Sequence, residues 1–371
     1  MYGTSSGERD AEMKYQGLIA AAGLSSRMGA FKPSMELNGF PMIQMTVQSL
    51  KNAGIREITV VTGHRAEEME QLLAPENVRL VHNASYRETD MLASIRLGLR
   101  SLKEPAGVFF LPGDLPLISP GSMRQVRDRL GRLSDGTDVL VPMTGGQTSH
   151  PPVLLPGGIE KVLRYAGEGG LKGAFSSMQA EYIEIEDAAT LADADVRGDF
   201  SRLISYAKEH RGVSLKLCKD WYREADLPSH IQAHCLAVGE LAGWMAERLT
   251  EHGACLDTEL CRSGGYLHDL FRLSKDHEAK AGAFLREKGY LALAKIVEGH
   301  HSFSREPETV CEECTIVCLA DKLIQEDRRV TPRERYQKAF TYHPVKERIL
   351  RDLKICEKLM EEFEVITGEK L

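Results

Sequence analysis

No cysteine precedes Cys218 in this chain of 371 residues. The long stretch before it therefore uses neither thiolate chemistry nor a disulfide. With no secretory pattern ahead of them, the eight cysteines that follow are expected as free thiols. Cys311 and Cys314 form one C-x-x-C pair, but no second pair and no suitably spaced histidine pair completes a zinc site. Long apolar runs are also missing. None approaches the roughly 20 residues that span a bilayer, and no basic start leads into an apolar stretch. A soluble, cytoplasmic protein without a membrane partner is expected. Basic charge is not in excess either: 47 Lys plus Arg face 54 Asp plus Glu, a net charge of −7. No basic stripe is interleaved with aromatics, so a nucleic-acid partner is not expected. There is no internal repeat, and 33 Gly and 15 Pro at 27% charged residues exclude collagen-like, low-complexity and wholly disordered chains.

What is present divides in two. Residues 1–14 are small and polar and are expected as a mobile tail. From Gly17 short apolar runs alternate with amphipathic segments. Strands are predicted at Leu18–Ala21, Ile58–Thr62, Arg79–Val81, Val108–Leu111, Val139–Val141 and Tyr182–Ile185. Between the first two, Ile43, Val47 and Leu50 recur at i, i+4 and i+7, the period of a helix. Further helices are predicted over Ala66–Leu73, Leu92–Lys103 and Met123–Leu133. Such alternation implies βαβ units and a doubly wound, mostly parallel α/β sheet. After Leu203 the strand-like runs stop. Lys208–Pro228 is charged, with scattered apolar residues. From Ser229 the period is helical nearly throughout: Leu236–Leu249, Leu260–His268, Lys280–Lys288, Ala292–Val297, Thr315–Ile324 and Val345–Phe363. Eight of the twelve histidines follow Ser229. The expected organisation is a tail (1–14), an α/β domain (15–206), a linker (207–226) and an all-α domain (227–371).

The first strand runs into Ala20-Ala21-Ala22-Gly23-Leu24-Ser25-Ser26-Arg27-Met28-Gly29-Ala30-Phe31-Lys32-Pro33. Small residues let backbone N–H groups approach an anion closely, and Arg27 and Lys32 add two cations at the carboxyl end of a strand, where open α/β sheets bind ligands. The spacing fits neither a Walker A loop nor a dinucleotide G-x-G-x-x-G. This string resembles the signature of nucleotidyltransferases of the molybdenum cofactor type (the MobA-like NTP transferases). Later segments follow in order: Val60 to His64, Asn83 to Gly98, Leu111-Pro112-Gly113-Asp114-Leu115-Pro116, Gly146 to Val153 with His150-Pro151, and Asp193-Ala194-Asp195 with Asp199-Phe200. The resemblance covers residues 15–206 and implies a Rossmann-like fold. It implies nucleotide binding by Ala21, Ala22, Gly23, Ser25, Arg27, Lys32, Asp90 and Ser94, with Asp114 and Asp195 holding Mg²⁺. Arg27 would grip the leaving phosphates and Lys32 would stabilise the transfer centre, where charge on the α-phosphate must be neutralised. Asp90-Met91 replaces the usual Gly-Met, and Asp114-Leu115-Pro116 the usual Asp-Gln-Pro. The Ala-Ala-Gly start is more similar to cytidylyl than to guanylyl transferases.

In the second half, Val238, Leu241 and Met245 share a helical face with His234, so its ring is expected to point inward. His268-Asp269 ends the next helix, His277 opens another, His300-His301 ends a fourth, and Asp321 shares a face with Val317. Seven ionisable groups aimed at one helical core are costly unless paired or bound to cations, and imidazole plus carboxylate suits Fe, Mn or Zn. This order is similar to that of HD-domain phosphohydrolases, over residues 227–330. His277 and the His300-His301 pair are most similar to the dinuclear branch. That resemblance implies one metal on His234, His268, Asp269 and Asp321, and a second on His277, His300 and His301 with Asp269 bridging. Fe or Mn is expected ahead of Zn. Arg272 stands where the branch often carries Lys, and would hold phosphate as a catalytic residue. His301 is followed by Ser302-Phe303-Ser304 in place of the Gly-Tyr-Pro of cyclic-dinucleotide enzymes.

Together the resemblances imply a bifunctional enzyme. It would transfer a nucleotidyl group from an NTP, CTP favoured, to a phosphorylated acceptor such as molybdopterin, releasing pyrophosphate, and its HD domain would hydrolyse a phosphate ester or pyrophosphate. Molybdoenzyme maturation proteins are the expected protein partners. The alternative keeps the transferase fold with a sugar-phosphate or polyol-phosphate acceptor and makes the HD domain a nucleotide sensor.

Overall fold

A computed structural model describes residues 15–23, 31–191, 197–301, 303, 307, 309–342 and 346–371. The tail over residues 1–14 and the site residues Ser25, Arg27 and Asp195 lie outside the described residues. The chain forms two compact units that divide between Leu203 and Ile204.

The first unit is built on an eight-stranded sheet. Its strands are β1 (Tyr15–Ala21), β4 (Ile58–Thr62), β5 (Arg79–His82), β6 (Gly107–Pro112), β7 (Val139–Thr144), β8 (Gln147–Thr148), β9 (Val153–Leu154) and β10 (Ala180–Glu184). A separate hairpin pairs β2 (Glu36–Leu37) with β3 (Phe40–Pro41). The order is β10-β7-β9-β6-β1-β4-β5, with β8 on β7. Pairing is parallel between β10 and β7, β6 and β1, β1 and β4, and β4 and β5. The short β9 runs antiparallel to both neighbours.

Successive side chains on a strand point to opposite faces, and both faces here are covered. Ile19, Val60, Phe109 and Leu140 pack against α1 (Met42–Asn52), α2 (Ala66–Leu73) and α4 (Pro120–Leu130). Their chain neighbours Leu18, Val61, Phe110 and Val141 pack against α3 (Met91–Ser101), α5 (Pro156–Arg164) and α6 (Gly170–Ser176). All five residues of β4 are buried, which is why that strand reads as a continuous apolar run. The predicted strands and helices of this unit are present. The hairpin, β8 and β9 were not predicted, because two-residue strands carry no period. Nor were α5 and α6, whose glycines weaken the helical signal.

Beyond α7 (Arg197–His210) the second unit is almost wholly helical: α8 (Leu215–Glu224), α9 (Ser229–Glu251), α10 (Thr258–Leu267), α11 (His277–Glu287), α12 (Leu291–Gly299), α13 (Glu313–Lys322), α14 (Pro332–Tyr342) and α15 (Lys346–Thr367). A two-residue hairpin, β11 (Ile324–Gln325) with β12 (Arg328–Arg329), follows α13. One apolar core joins α8 through α13 and α15. The linker expected over residues 207–226 is not a linker. Ser214 caps α8 by accepting from the Leu217 N–H, and the helix buries Cys218, Trp221 and Tyr222 in that core. Its seven remaining residues are mostly charged or polar, which masked three well-placed anchors at helical spacing. Among the described residues no helix is long and apolar enough to cross a membrane.

Candidate functional site

In the first unit the chemistry gathers at the carboxyl ends of β1 and β6. Their parallel register sets Ala20 beside Pro112, so the turn at Ala21-Ala22-Gly23 adjoins Gly113-Asp114. The Gly113 N–H donates to the Ala20 carbonyl at 2.9 Å. A Cβ on Gly113 would stand 2.8 Å from that of Ala21, so only glycine allows this approach. Among the described residues, a Cβ on Gly23 would meet nothing within 4 Å. Lys32 opens a short 3-10 turn with Pro33 and reaches back, its Nζ 3.0 Å from Asp114 Oδ2. Both side chains are largely shielded, at 10% and 24% exposure, which strengthens the pair over a surface one. The pair joins two of the predicted residues, one at the end of the loop after β1 and one just past β6.

Two other predicted nucleotide contacts have local partners. Asp90 is the N-cap of α3, its carboxylate accepting from the Ala93 N–H at 2.9 Å. Ser94 is buried, and its hydroxyl accepts from Asn83 Nδ2 at 3.0 Å. His150 was singled out only as part of the acceptor segment. Burial pushes its pKa down to about 4, against the opposing pull of Asp114 and of a backbone hydrogen bond at Phe110. Its Nδ1 is buried without a hydrogen-bond partner. A neutral imidazole with an unused ring nitrogen therefore lies within the field of Asp114.

The second unit brings all seven predicted ligands to one place. Helices α9 and α10 cross so closely that a Cβ on Gly265 would stand 2.6 Å from the Gly239 Cα. This crossing brings the His234 and His268 rings to 5.2 Å between centroids, and His300 lies 4.8 Å from His268. Three of the rings are held in one tautomer by the backbone. His234 Nδ1 donates to the Glu326 carbonyl at 2.8 Å, His268 Nδ1 to Gly265 at 2.7 Å, and His300 Nδ1 to Val297 at 2.5 Å. Each ring thereby turns its Nε2 toward the centre of the cluster. This is the outer-shell arrangement that orients histidine ligands.

Those Nε2 atoms converge on two carboxylates. His234 Nε2 is 3.2 Å and His268 Nε2 3.7 Å from Asp321 Oδ1. His268 Nε2 is also 3.5 Å from Asp269 Oδ2, while His277 and His300 approach Asp269 Oδ1 at 3.2 and 3.8 Å. Three overlapping groups have donor atoms mutually within 4.8 Å: His234, His268 and Asp321; His268, Asp269 and His300; and His277, Glu278, His300 and His301. Asp269 stands between the two sets of ligands. Glu278 was not predicted. It pairs with His301 Nδ1 at 3.0 Å and lies 3.8 Å from His277 Nε2. Its only sequence signal is adjacency to His277 at the start of α11.

The donor set fits a cation. His268 Nε2 and Asp269 Oδ1 are buried atoms without a hydrogen-bond partner, a state that costs free energy unless a ligand engages them. Burial also drives His268 down to about 4, so the ring is neutral and able to coordinate at pH 7. For Asp269 burial works in the opposite sense, but His268, His300 and Arg272 outweigh it and hold the carboxyl well below its usual range. Asp321 is likewise lowered against its burial, by Lys322, His234, His268 and Arg335. Lys322 Nζ, 2.7 Å from Asp321 Oδ2, leaves Oδ1 turned to the imidazoles. Arg272 Nη1 lies 3.5 Å from Asp269 Oδ1 and 3.2 Å from His277 Nε2, at the rim of the cluster.

Comparison with known proteins agrees with these two clusters. Residues 17–182 match the model of the MobA-like NTP transferase domain, and residues 231–325 that of the HD domain. Molybdenum cofactor cytidylyltransferase of Escherichia coli is 27% identical over 188 residues, which are 49% of this chain and 92% of that protein. The 2-aminoethylphosphonate cytidylyltransferase of Lancefieldella rimae is 34% identical over 110 residues, 28% of this chain and 44% of that one. A nucleotidyl transferase from Methanothermobacter thermautotroptrophicus aligns with a TM-score of 0.46 at 24% identity, covering 52% of this chain and 97% of its own. The Lys32–Asp114 pair lies inside the first matched region and all seven predicted imidazoles and carboxylates inside the second. The chain is thus an enzyme that joins a MobA-like NTP transferase domain to an HD domain.

Proposed function

We propose that the first unit transfers a cytidylyl group from CTP to a phosphorylated acceptor, molybdopterin foremost, and that the second hydrolyses phosphate esters or anhydrides. The observation that carries the transferase reading is the shielded Lys32–Asp114 pair beside the turn at Ala21-Ala22-Gly23. Backbone N–H groups at Ala21-Ala22-Gly23 bind the triphosphate, and Lys32 neutralises charge that builds on the α-phosphate. Asp114, with Asp195, holds Mg²⁺, whose chemistry is to neutralise phosphate oxygens while pyrophosphate departs. Arg27 grips the leaving phosphates, and Ser25 and Ser94 contribute to holding the nucleotide. The acceptor is itself a phosphate, already anionic at pH 7, so no general base is needed. The resemblance to two cytidylyltransferases supports CTP as donor.

In the second unit His234, His268, Asp269 and Asp321 hold one divalent ion, and His277, His300 and His301 a second, with Asp269 between them. The mixed imidazole and carboxylate donors suit Fe, Mn or Zn, and the resemblance to the dinuclear branch favours Fe or Mn. Such a pair of ions supplies Lewis acidity at phosphorus and a nucleophile at neutral pH. The protein's part is to aim the imidazoles, with His268 held neutral by its burial, and to offer Arg272 to the phosphate oxygens.

Incubating the full chain with Mg²⁺, each NTP and an acceptor (molybdopterin, 2-aminoethylphosphonate or a sugar phosphate) while following pyrophosphate tests the transferase reading. CTP with molybdopterin is expected to give the fastest release. Asp114→Ala is expected to lower it at least a hundredfold while leaving the HD unit's phosphatase activity intact. No pyrophosphate with any pair of substrates would reject the reading.

A further inference from the structure

Two cavities reach Asp269. The larger, about 720 Å³, is lined by Ile231, His234 and Leu273 among others, and the smaller, about 350 Å³, by His301, Lys322, Tyr336 and Arg348. Arg272 and Arg335 line both. A charge census of the smaller cavity separates spent from available cations. Lys322 is committed to Asp321 at 2.7 Å, and the one further acid, Asp352, is matched by Arg351 at 3.3 Å. Arg272 pairs with Asp269 and Arg335 with Asp321, each at 3.5 Å; Arg272 also meets His277 Nε2 at 3.2 Å, and Glu326 and Asp327 line the larger cavity beside both arginines. Arg348 makes no ion pair among the described residues, and its charge reaches the His301 ring.

Asp269 and Asp321 are the carboxylates that the metal reading assigns to cations. Once they are so engaged, three guanidinium groups line a concave site without an anion. One phosphate on the reacting centre uses Arg272. Arg335 and Arg348 remain, on α14 and α15, beyond residue 325 where the HD match ends. Their planar forks suit phosphate oxygens. We propose that Arg335 and Arg348 clamp a second phosphate next to the one attacked, so that the HD unit selects a phosphoanhydride over a phosphomonoester. The clamp rests on the phosphohydrolase reading of this unit. In the reaction a water oxygen bonds to the attacked phosphorus, the bridging P–O bond breaks, and the clamped phosphate leaves with the electron pair. The protons of the water pass to solvent and to that leaving group.

Calorimetry on the manganese-loaded full chain, comparing methylenediphosphonate with methylphosphonate, tests the clamp without turnover. The diphosphonate is expected to bind about tenfold more tightly or better, the scale of one charge-assisted contact. That ratio should collapse toward one in Arg348→Met and recover in part in Arg348→Lys. Equal affinities in the wild type, or an undiminished ratio in Arg348→Met, overturn the proposal. Hydrolysis of p-nitrophenyl phosphate and of pyrophosphate is measured alongside. Turnover without the binding preference rejects the clamp and leaves the phosphohydrolase reading. The preference without any turnover rejects that reading and leaves the clamp as a binding device.

Discussion

At the scale of single residues, the HD unit depends on buried polar atoms left without a hydrogen bond. Among the described residues Asp269 Oδ1 and His268 Nε2 are buried without a hydrogen bond, with charged or imidazole neighbours at 3.2 Å and beyond, whereas the Nδ1 atoms of three histidines are hydrogen-bonded to backbone carbonyls. The asymmetry turns the Nε2 atoms inward. Asp269 lies within reach of His268, His277 and His300, so its loss should affect both ion sites at once. Metal analysis of purified protein is expected to find close to two transition-metal ions per chain, as for two-metal sites, and Asp269→Ala should lose most of both. Equal metal content in the variant would remove the dinuclear reading. The residue types were legible in the sequence because seven ionisable groups on apolar helix faces are conspicuous. Glu278 was not, since a glutamate in a first helical turn is ordinary, and only the fold sets it against His301.

At the scale of elements, ends decide more than middles. Asp90 caps α3 through the Ala93 N–H, a role that competes with the nucleotide contact assigned to it. Asp90→Ala is therefore expected to cost about 1 kcal/mol of stability in the first unit, read by urea denaturation. Saturating CTP should leave that loss in place. A variant of unaltered stability whose KM for CTP alone rises would return Asp90 to the nucleotide. Periodicity located the longer strands of the first unit and most of the helices that line the metal cluster. It missed α8, where Cys218, Trp221 and Tyr222 anchor a helix that otherwise looks like charged linker. It also missed β9, a two-residue strand that owes its pairing to β6 and β7 on either side.

At the scale of the whole molecule, buried neutral histidines tie stability to pH. The folded pKa of His150 is about 4, below the ordinary 6.5. Between those values the unfolded chain binds the proton and the folded one does not, so stability rises with pH across that window. The contribution is complete above about pH 6.5 and is lost as the pH falls toward 4. Melting curves of the first unit should show a smaller drop over this window in His150→Gln than in the wild type. An identical drop would mean that the ring is not held neutral. His268 has the same sign in the second unit when no metal is bound. Short-range order was written in the sequence by itself: the alternation of strand and helix, the change to helices alone, and the residue types that handle phosphate and metals. These follow from periodicity and from chemistry confined to a few neighbouring positions. Convergence was decided only by tertiary structure. Lys32 meets Asp114, Glu278 joins His301, and Arg335 and Arg348 line one cavity with Asp269 because packing such as the Gly239–Gly265 crossing joins segments far apart in the chain, and no local pattern carries that distance.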